Sequence, residues 1–375
     1  MVKSGIINLF ADWSVILNAN LCQEKGYDTY VNNPCDQWNR KHVYGEILLY
    51  IPFISNFKNF YFIYLPVILN LIFLYTIIDF FKFENKIGYV CLIFIVLSAP
   101  VILAIERANI DIIIFLLLIL ISRNKNILIN YLILILTTIS KFYPICMVIF
   151  KKRIKKISIN IILFLLIIFF ILFSQSESLI KIFDNRNQFS GSGIYNFSFK
   201  AILDFLLNFK IIVDNKSYDF IKYLSLISLL IVPIFLTILF NFKKIFNNNS
   251  ILNLFNEDIF ENRAYILSST VVLFCFFSFS NFFYREIFFL GLIPWLLKNK
   301  HLTENKFINL YFYILIFKFF ISTVFIFLVM NNIFQSFNIL IIFVKYCFDF
   351  YLITTVLTVF LISIKNFLYL QFKNT

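Results

Sequence analysis

The run from Phe307 to Met330, FINLYFYILIFKFFISTVFIFLVM, is too long and too apolar to be a surface helix of a small soluble domain. Roughly 18 or more apolar residues are what a ~30 Å hydrocarbon layer demands of a helix that crosses it. Tyr61–Phe81, Ile157–Phe173 and Asn338–Ile364 repeat the signal. Hydrophobic residues make up 61% of the chain and charged ones 14%, with mean hydropathy +0.87, beyond the apolar share of ordinary soluble domains. The chain reads as an integral membrane protein, and its continuous runs lack the alternation of a transmembrane β-barrel.

The net charge of +13 does not point to nucleic acid, because no stretch interleaves basic and polar residues as a nucleic-acid face needs. The basic residues gather instead at Lys82 and Lys86, Arg123 and Lys125, the run KKRIKK from Lys151, Lys243 and Lys244, Lys298 to Lys306, and Lys365 to Lys373. Cytoplasmic loops carry such an excess. Placing all of them on one side gives spans near 60–81, 87–105, 111–122, 157–175, 221–241, 264–280, 286–297, 307–330 and 338–364. The segment 126–150 then enters and leaves on the same side. It breaks at SKFYP, where Pro144 disfavours helix at Tyr143, and reads as a re-entrant hairpin or two half-helices. The expected fold class is an all-α, polytopic transmembrane helical bundle of about nine to eleven membrane segments. It forms a single domain, with residues 1–59 as an extracytoplasmic loop and 60–375 as the bundle. Residues 1–10, MVKSGIINLF, are too short to cross: either INLF is the tail of a first span missing from the chain, the preferred expectation, or the segment is a short interfacial N-terminus already outside.

Under this topology the outer side receives the first loop, the turn ERANID at 106–111, the segment 176–220, the stretch FSNFFYRE at 279–286 and a turn near Asn331. Ionisable groups at membrane depth cost about 2.5–3.5 kcal/mol each and call for a partner or a wet cavity. Glu106, Arg107 and Asp111 form one such group. Either they cap a tight turn, with Asp111 capping the next helix, or Arg107 offers a bidentate partner for a lipid-linked phosphate. Tyr284, Arg285 and Glu286 form a second group, in which Glu286 either neutralises Arg285 locally or leaves it for an anionic ligand. On this reading the charges collect on one side, unlike the midplane charges of a transporter.

The first loop begins with Asp12, from which Trp13, Ile16, Leu17 and Leu21 trace a partial apolar face. That pattern predicts an amphipathic helix lying on the membrane, stopped at Gly26. Asp12 is either that helix's N-cap or, at the bilayer surface, a general base. Tyr27, Tyr30, Trp38 and Tyr44 read as an interfacial aromatic belt or a sugar-stacking platform. His42 and His301 stand too far apart in sequence for a His-based site. The six cysteines show no paired metal spacing, and Cys22 and Cys35 share one polar loop that would allow a disulfide in an oxidising compartment.

The motifs FADW at 10–13, GYDTYVNNPCD at 26–36, HVYGEILLYIP at 42–52, PVILAIERANIDIIIFLLL at 100–118, KFYP at 141–144 and NFFYREIFFLGLIPWLL at 281–297 resemble the DUF2029 group. That group is related to glycosyltransferase family 87, the polyprenyl-phosphate-mannose-dependent mannosyltransferases. The resemblance implies a GT-C fold in a bacterial inner membrane, with an extracytoplasmic active site and a polyprenyl-phosphate sugar as donor. It implies a lipid or glycan acceptor, Asp12 as catalytic base, and Arg107 and Arg285 at the donor phosphate. Glu106, Asn109, Asp111, Tyr284, Asp36, Arg40, Tyr44, Lys141 and Tyr143 become candidates for supporting, acceptor or sugar contacts. The commoner ERGN reads ERAN here, with Ala108 in place of glycine. No cofactor is expected if guanidinium groups stabilise the leaving phosphate; a Mg²⁺ or Mn²⁺ would draw on Asp28 or Asp36. The rival reading is a transporter, flippase or polymerase of lipid-linked saccharides.

Overall fold

The computed structural model describes residues 9–82, 84–150, 166, 169–170, 173, 175–187, 196–208, 249–254, 259–278, 283–302, 306–330 and 338–373. Most of the span expected at 157–175, the whole of that at 221–241, the run from Lys151 and the turn near Asn331 lie outside these residues. Every regular element among the described residues is helical. They fall into two compact units, residues 1–82 with 101–189, and residues 83–100 with 190–375.

The first unit opens with α1, Ala11–Glu24. A turn-rich chain leads to Asn59, and a π-helical turn at Phe60–Tyr64 runs directly into α2, Leu65–Phe80. After α3, Lys86–Val96, which belongs to the second unit, come α4, Ala99–Arg107, α5, Ile110–Arg123, and α6, Ile127–Ser140. A 3₁₀ segment, Tyr143–Phe150, and α7, Ser176–Asn187, complete it. The second unit continues with α8, Phe199–Asn208, α9, Phe260–Ser278, a 3₁₀ segment, Phe283–Leu292, α10, Ile293–Leu302, α11, Lys306–Met330, and α12, Asn338–Lys373.

Asparagine starts three of these helices. Asn85, Asn109 and Asn126 each accept a backbone N–H of the first turn that would otherwise lack a partner. Gly26 stops α1 as the sequence predicts. It takes φ 83°, its N–H bonds the Gln23 carbonyl at 2.9 Å, and Tyr27 N–H reaches back to Cys22 at 3.1 Å, the paired closure of a Schellman motif.

Among the described residues three helices are long and apolar enough to cross a membrane: Phe60–Phe80, Phe307–Leu328 and Leu340–Lys365. A fourth is reached only if α3 and α4 together make one bent span. The segment expected to span near 87–105 holds two helices, broken at Leu97–Ser98. There the Ser98 hydroxyl turns back to the Ile95 carbonyl at 2.6 Å, and Pro100, lacking an N–H, fits only the first turn of α4. The span expected at 286–297 is likewise mostly 3₁₀ before it becomes α10. The break expected at SKFYP is present, between Ser140 and Tyr143.

The amphipathic helix expected on the membrane surface is also corrected. Asp12, Trp13, Val15, Ile16, Leu17, Ala19, Asn20 and Cys22 of α1 are all buried, so the helix is enclosed on most of its circumference. Trp13, Ile16 and Leu17 pack with Tyr44, Ile54, Ala108 and Ile110 in one apolar cluster. The Trp13 indole N–H donates to the Tyr61 carbonyl at 2.8 Å.

Candidate functional site

The head of α1 is built from two chain reversals that meet. Phe10, just before the helix, adopts φ 65° and its N–H donates to the Glu106 carbonyl at 2.8 Å. Ala108, just after α4, adopts φ 43°, the left-handed region where an L side chain is disfavoured. Glycine takes that conformation without the penalty an L side chain meets. Here the alanine methyl occupies the strained position and is buried in the cluster around Trp13.

Between these reversals stands Asp12, only 8% exposed. Arg107 donates to its Oδ1 through Nε at 2.9 Å and Nη2 at 2.6 Å, and Asn109 donates Nδ2–H to its Oδ2 at 2.6 Å. A carboxylate offers roughly four lone-pair sites, so three fixed donors leave about one for a further proton donor. Asp12 is therefore not a helix cap; α1 has no side-chain cap. Asp111 is not one either. Asn109 caps α5, its Oδ1 accepting the Asp111 N–H at 2.9 Å, so one asparagine both starts α5 and holds Asp12. Glu106, expected as a contact, turns its side chain outward and contributes only its carbonyl.

Asp111 itself is fully buried. Its Oδ1 receives the Lys141 ammonium in a short ion pair and the Tyr143 hydroxyl at 2.8 Å. The ammonium also lies 5.5 Å from the ring centres of Tyr44 and Tyr143. Gly45 makes this contact possible: a Cβ there would stand 1.5 Å from the Ile139 carbonyl oxygen, and its N–H donates to Ser140 at 2.9 Å. The backbone beside Tyr44 can thus lie directly on the end of α6.

Asp36 and Arg40 brace the same helix from the loop. Arg40 grips Asp36 with Nε at 3.0 Å and Nη2 at 2.8 Å, and Nη2 also reaches the Ala11 carbonyl at 3.0 Å. Burial pushes the Asp36 carboxyl up, but the Arg40 side chain with the Arg40 and Trp38 N–H groups outweighs it and holds the group below its usual range. Arg40 also lies 4.4 Å over the Trp38 ring. A disulfide joins Cys22 to Cys35, with Cα atoms 5.6 Å apart, and ties the end of α1 to this turn. Asp28 is paired with Lys181 at 2.7 Å. Each acid considered for a metal thus holds a cation of its own, and among the described residues no cluster of three or more His, Cys, Asp or Glu suits a metal ion.

His42 lies behind Tyr44, edge-on to it and to Tyr30 with ring centres 5.6 and 5.1 Å away. Full burial pushes its imidazole from 6.5 down to about 4, against the weaker upward pull of the Gly45 carbonyl. Between those values the unfolded chain binds a proton that the folded one refuses. Stability of the first unit is accordingly full above pH 6.5 and declines as pH falls toward 4, by up to about 3 kcal/mol. Unfolding midpoints measured from pH 7 to pH 5 should drop more for the wild type than for His42→Phe; parallel profiles would contradict the assignment.

Tyr284 and Arg285 lie in the second unit, buried in the 3₁₀ segment Phe283–Leu292. Glu286, expected either to neutralise Arg285 or to leave it for an anionic ligand, is engaged by two lysines of other helices. Glu286 makes a short ion pair with Lys318 of α11 and stands 3.8 Å from Lys345 of α12. Lys318 also reaches Asp349 at 3.1 Å, and Lys345 reaches it at 2.7 Å. All four side chains are at most 2% exposed. The expectation that charges collect on one side misses this quartet, although Lys318, Lys345 and Asp349 interrupt apolar runs just as ERANID does.

No family model matches the chain, and no curated protein or solved structure matches it.

Proposed function

We propose that this chain is a membrane glycosyltransferase that moves a mannose-like hexose from a polyprenyl-phosphate donor to a lipid or glycan acceptor, on the extracytoplasmic side of a multi-pass bundle. The observation that carries the reading is the Asp12 carboxylate, buried at the head of α1 and oriented through both oxygens by Arg107 and Asn109. Left-handed backbone at Phe10 and Ala108 on either side is the kind of strain that functional sites hold. The Cys22–Cys35 disulfide supports an oxidising compartment for the loop, and the resemblance to family 87 supplies the donor class.

In the proposed step Asp12 accepts the proton of an acceptor hydroxyl while the hydroxyl oxygen bonds to the anomeric carbon and the bond from that carbon to the phosphate oxygen breaks. Arg107, a third exposed, stands beside Asp12 as the cation that meets the charge growing on the departing phosphate. Arg285 enters this reading through the resemblance alone.

The test is transfer of labelled sugar from polyprenyl-phosphate donors in reconstituted vesicles. Asp12→Asn keeps the shape and removes the base, so transfer should fall by about 10²-fold or more; transfer at the wild-type rate would remove Asp12 from the mechanism.

One observation favours the rival reading. The quartet Glu286, Lys318, Lys345 and Asp349 sits on elements that include two candidate spans, where transporters place charges. The same vesicles separate the two: a transporter moves lipid-linked saccharide between leaflets and forms no new glycosidic bond.

A further inference from the structure

Between the loop and the first long apolar helix, the chain turns its aromatic side chains outward. Tyr50 is 63%, Phe53 65% and Phe57 59% exposed. Ile54 in the middle of the same turn is fully buried in the cluster with Trp13 and Tyr44, so the segment is pinned and its outward face is the other one. Phe53 also holds φ 59°, a left-handed conformation that is an outlier for a bulky side chain. Strained backbone that presents a large apolar ring to the outside calls for something to cover that ring.

The order of elements says what covers it. The turn runs without interruption into Phe60–Phe80, a helix apolar enough to span a bilayer, whose own outward residues Val67, Leu71 and Tyr75 are exposed. The Lys58 ammonium lies 5.8 Å from the centre of the Phe62 ring, a cation beside an aromatic ring at the start of the span, where long basic side chains are tolerated at a membrane boundary. We infer that Tyr50–Phe57 is a lipid-facing rim, embedded at the boundary between headgroups and acyl chains. Aromatic side chains concentrate at that level in membrane proteins. The rim also sets a depth. Trp13 bonds the Tyr61 carbonyl and Phe10 bonds the Glu106 carbonyl, so Asp12 and Arg107 lie close to the first turns of the span, at the height of lipid phosphates. This depth follows from the rim and is what the proposed glycosyltransferase reading requires of Asp12; the rim itself does not rest on that reading.

The full chain is reconstituted in phosphatidylcholine vesicles brominated either near the acyl carbonyls or at the chain ends. Phe53→Trp and Phe57→Trp each add an emission that is read by difference from the wild type. The rim predicts that the added emission is quenched at least twofold more by shallow bromines than by deep ones. Emission quenched by neither overturns it, as does energy transfer between copies without quenching, which would mean that a second chain covers the ring. A second measurement needs no variant: wild-type protein is photolysed with a lipid carrying a diazirine near its headgroup. Label in the tryptic peptide that ends at Lys58 is the expected result, and label confined to the residues after it overturns the rim. Either failure leaves the sugar-transfer assay free to succeed, so the two readings fall separately.

Discussion

Lys318→Met is expected to destabilise the second unit by about 3–5 kcal/mol, the cost of leaving a buried charge without its partner. Lys318 stands between Glu286 and Asp349, and Lys345 alone would have to serve both carboxylates. The wild-type quartet has two acids and two bases and no net charge; the variant carries one uncompensated negative charge where almost no water reaches. Methionine matches the stem in volume, so packing changes little and the loss reports electrostatics. Adding Glu286→Gln restores neutrality with the 2.7 Å pair of Lys345 and Asp349 intact, and should recover most of the loss. Denaturant titration of the purified protein in detergent measures both. A double variant no more stable than the single one would show that the quartet is not balanced as a unit. If the quartet instead moved ions, the double variant would be stable and silent in a flux assay.

Lys141→Met is expected to cost the first unit a similar amount, about 3–5 kcal/mol. Asp111 would keep the Tyr143 hydroxyl but lose the Lys141 cation, in a site with no measurable exposure. Lys141→Met with Asp111→Asn removes both charges and should be markedly more stable than the single change. A cost below about 1 kcal/mol for the single change would place the pair with ordinary solvent-screened ion pairs. The contact also bears on the proposed chemistry. Asp111 N–H is capped by Asn109, the residue that holds Asp12 Oδ2, so a first unit loosened at Asp111 should lose sugar transfer along with stability.

Much of the fold is readable from one dimension because its signals are local. Apolar runs mark α2, α11 and α12, Pro144 marks the break after α6, Gly26 marks the end of α1, and charges in apolar surroundings point to ERANID and YRE. Other features exceeded that range. Leu97–Ser98 carries no strong breaker beyond Pro100, so a bent pair reads as one span. Trp13, Ile16 and Leu17 suggest a helix with one apolar face, yet Val15 and Ala19 are buried as well, because neighbouring elements cover other sides.

The sequence by itself determined that this chain is helical, apolar enough to span a membrane and polar in its first loop, since those properties come from composition and local spacing. Pairing was decided only by tertiary structure. Asp12 meets Arg107 and Asn109 across 95 and 97 residues, Asp111 meets Lys141 across 30, and Glu286 meets Lys318 of another helix. Helical periodicity relates a side chain only to those three or four positions away. Which buried acid faces which base depends on how helices far apart in sequence come to lie together.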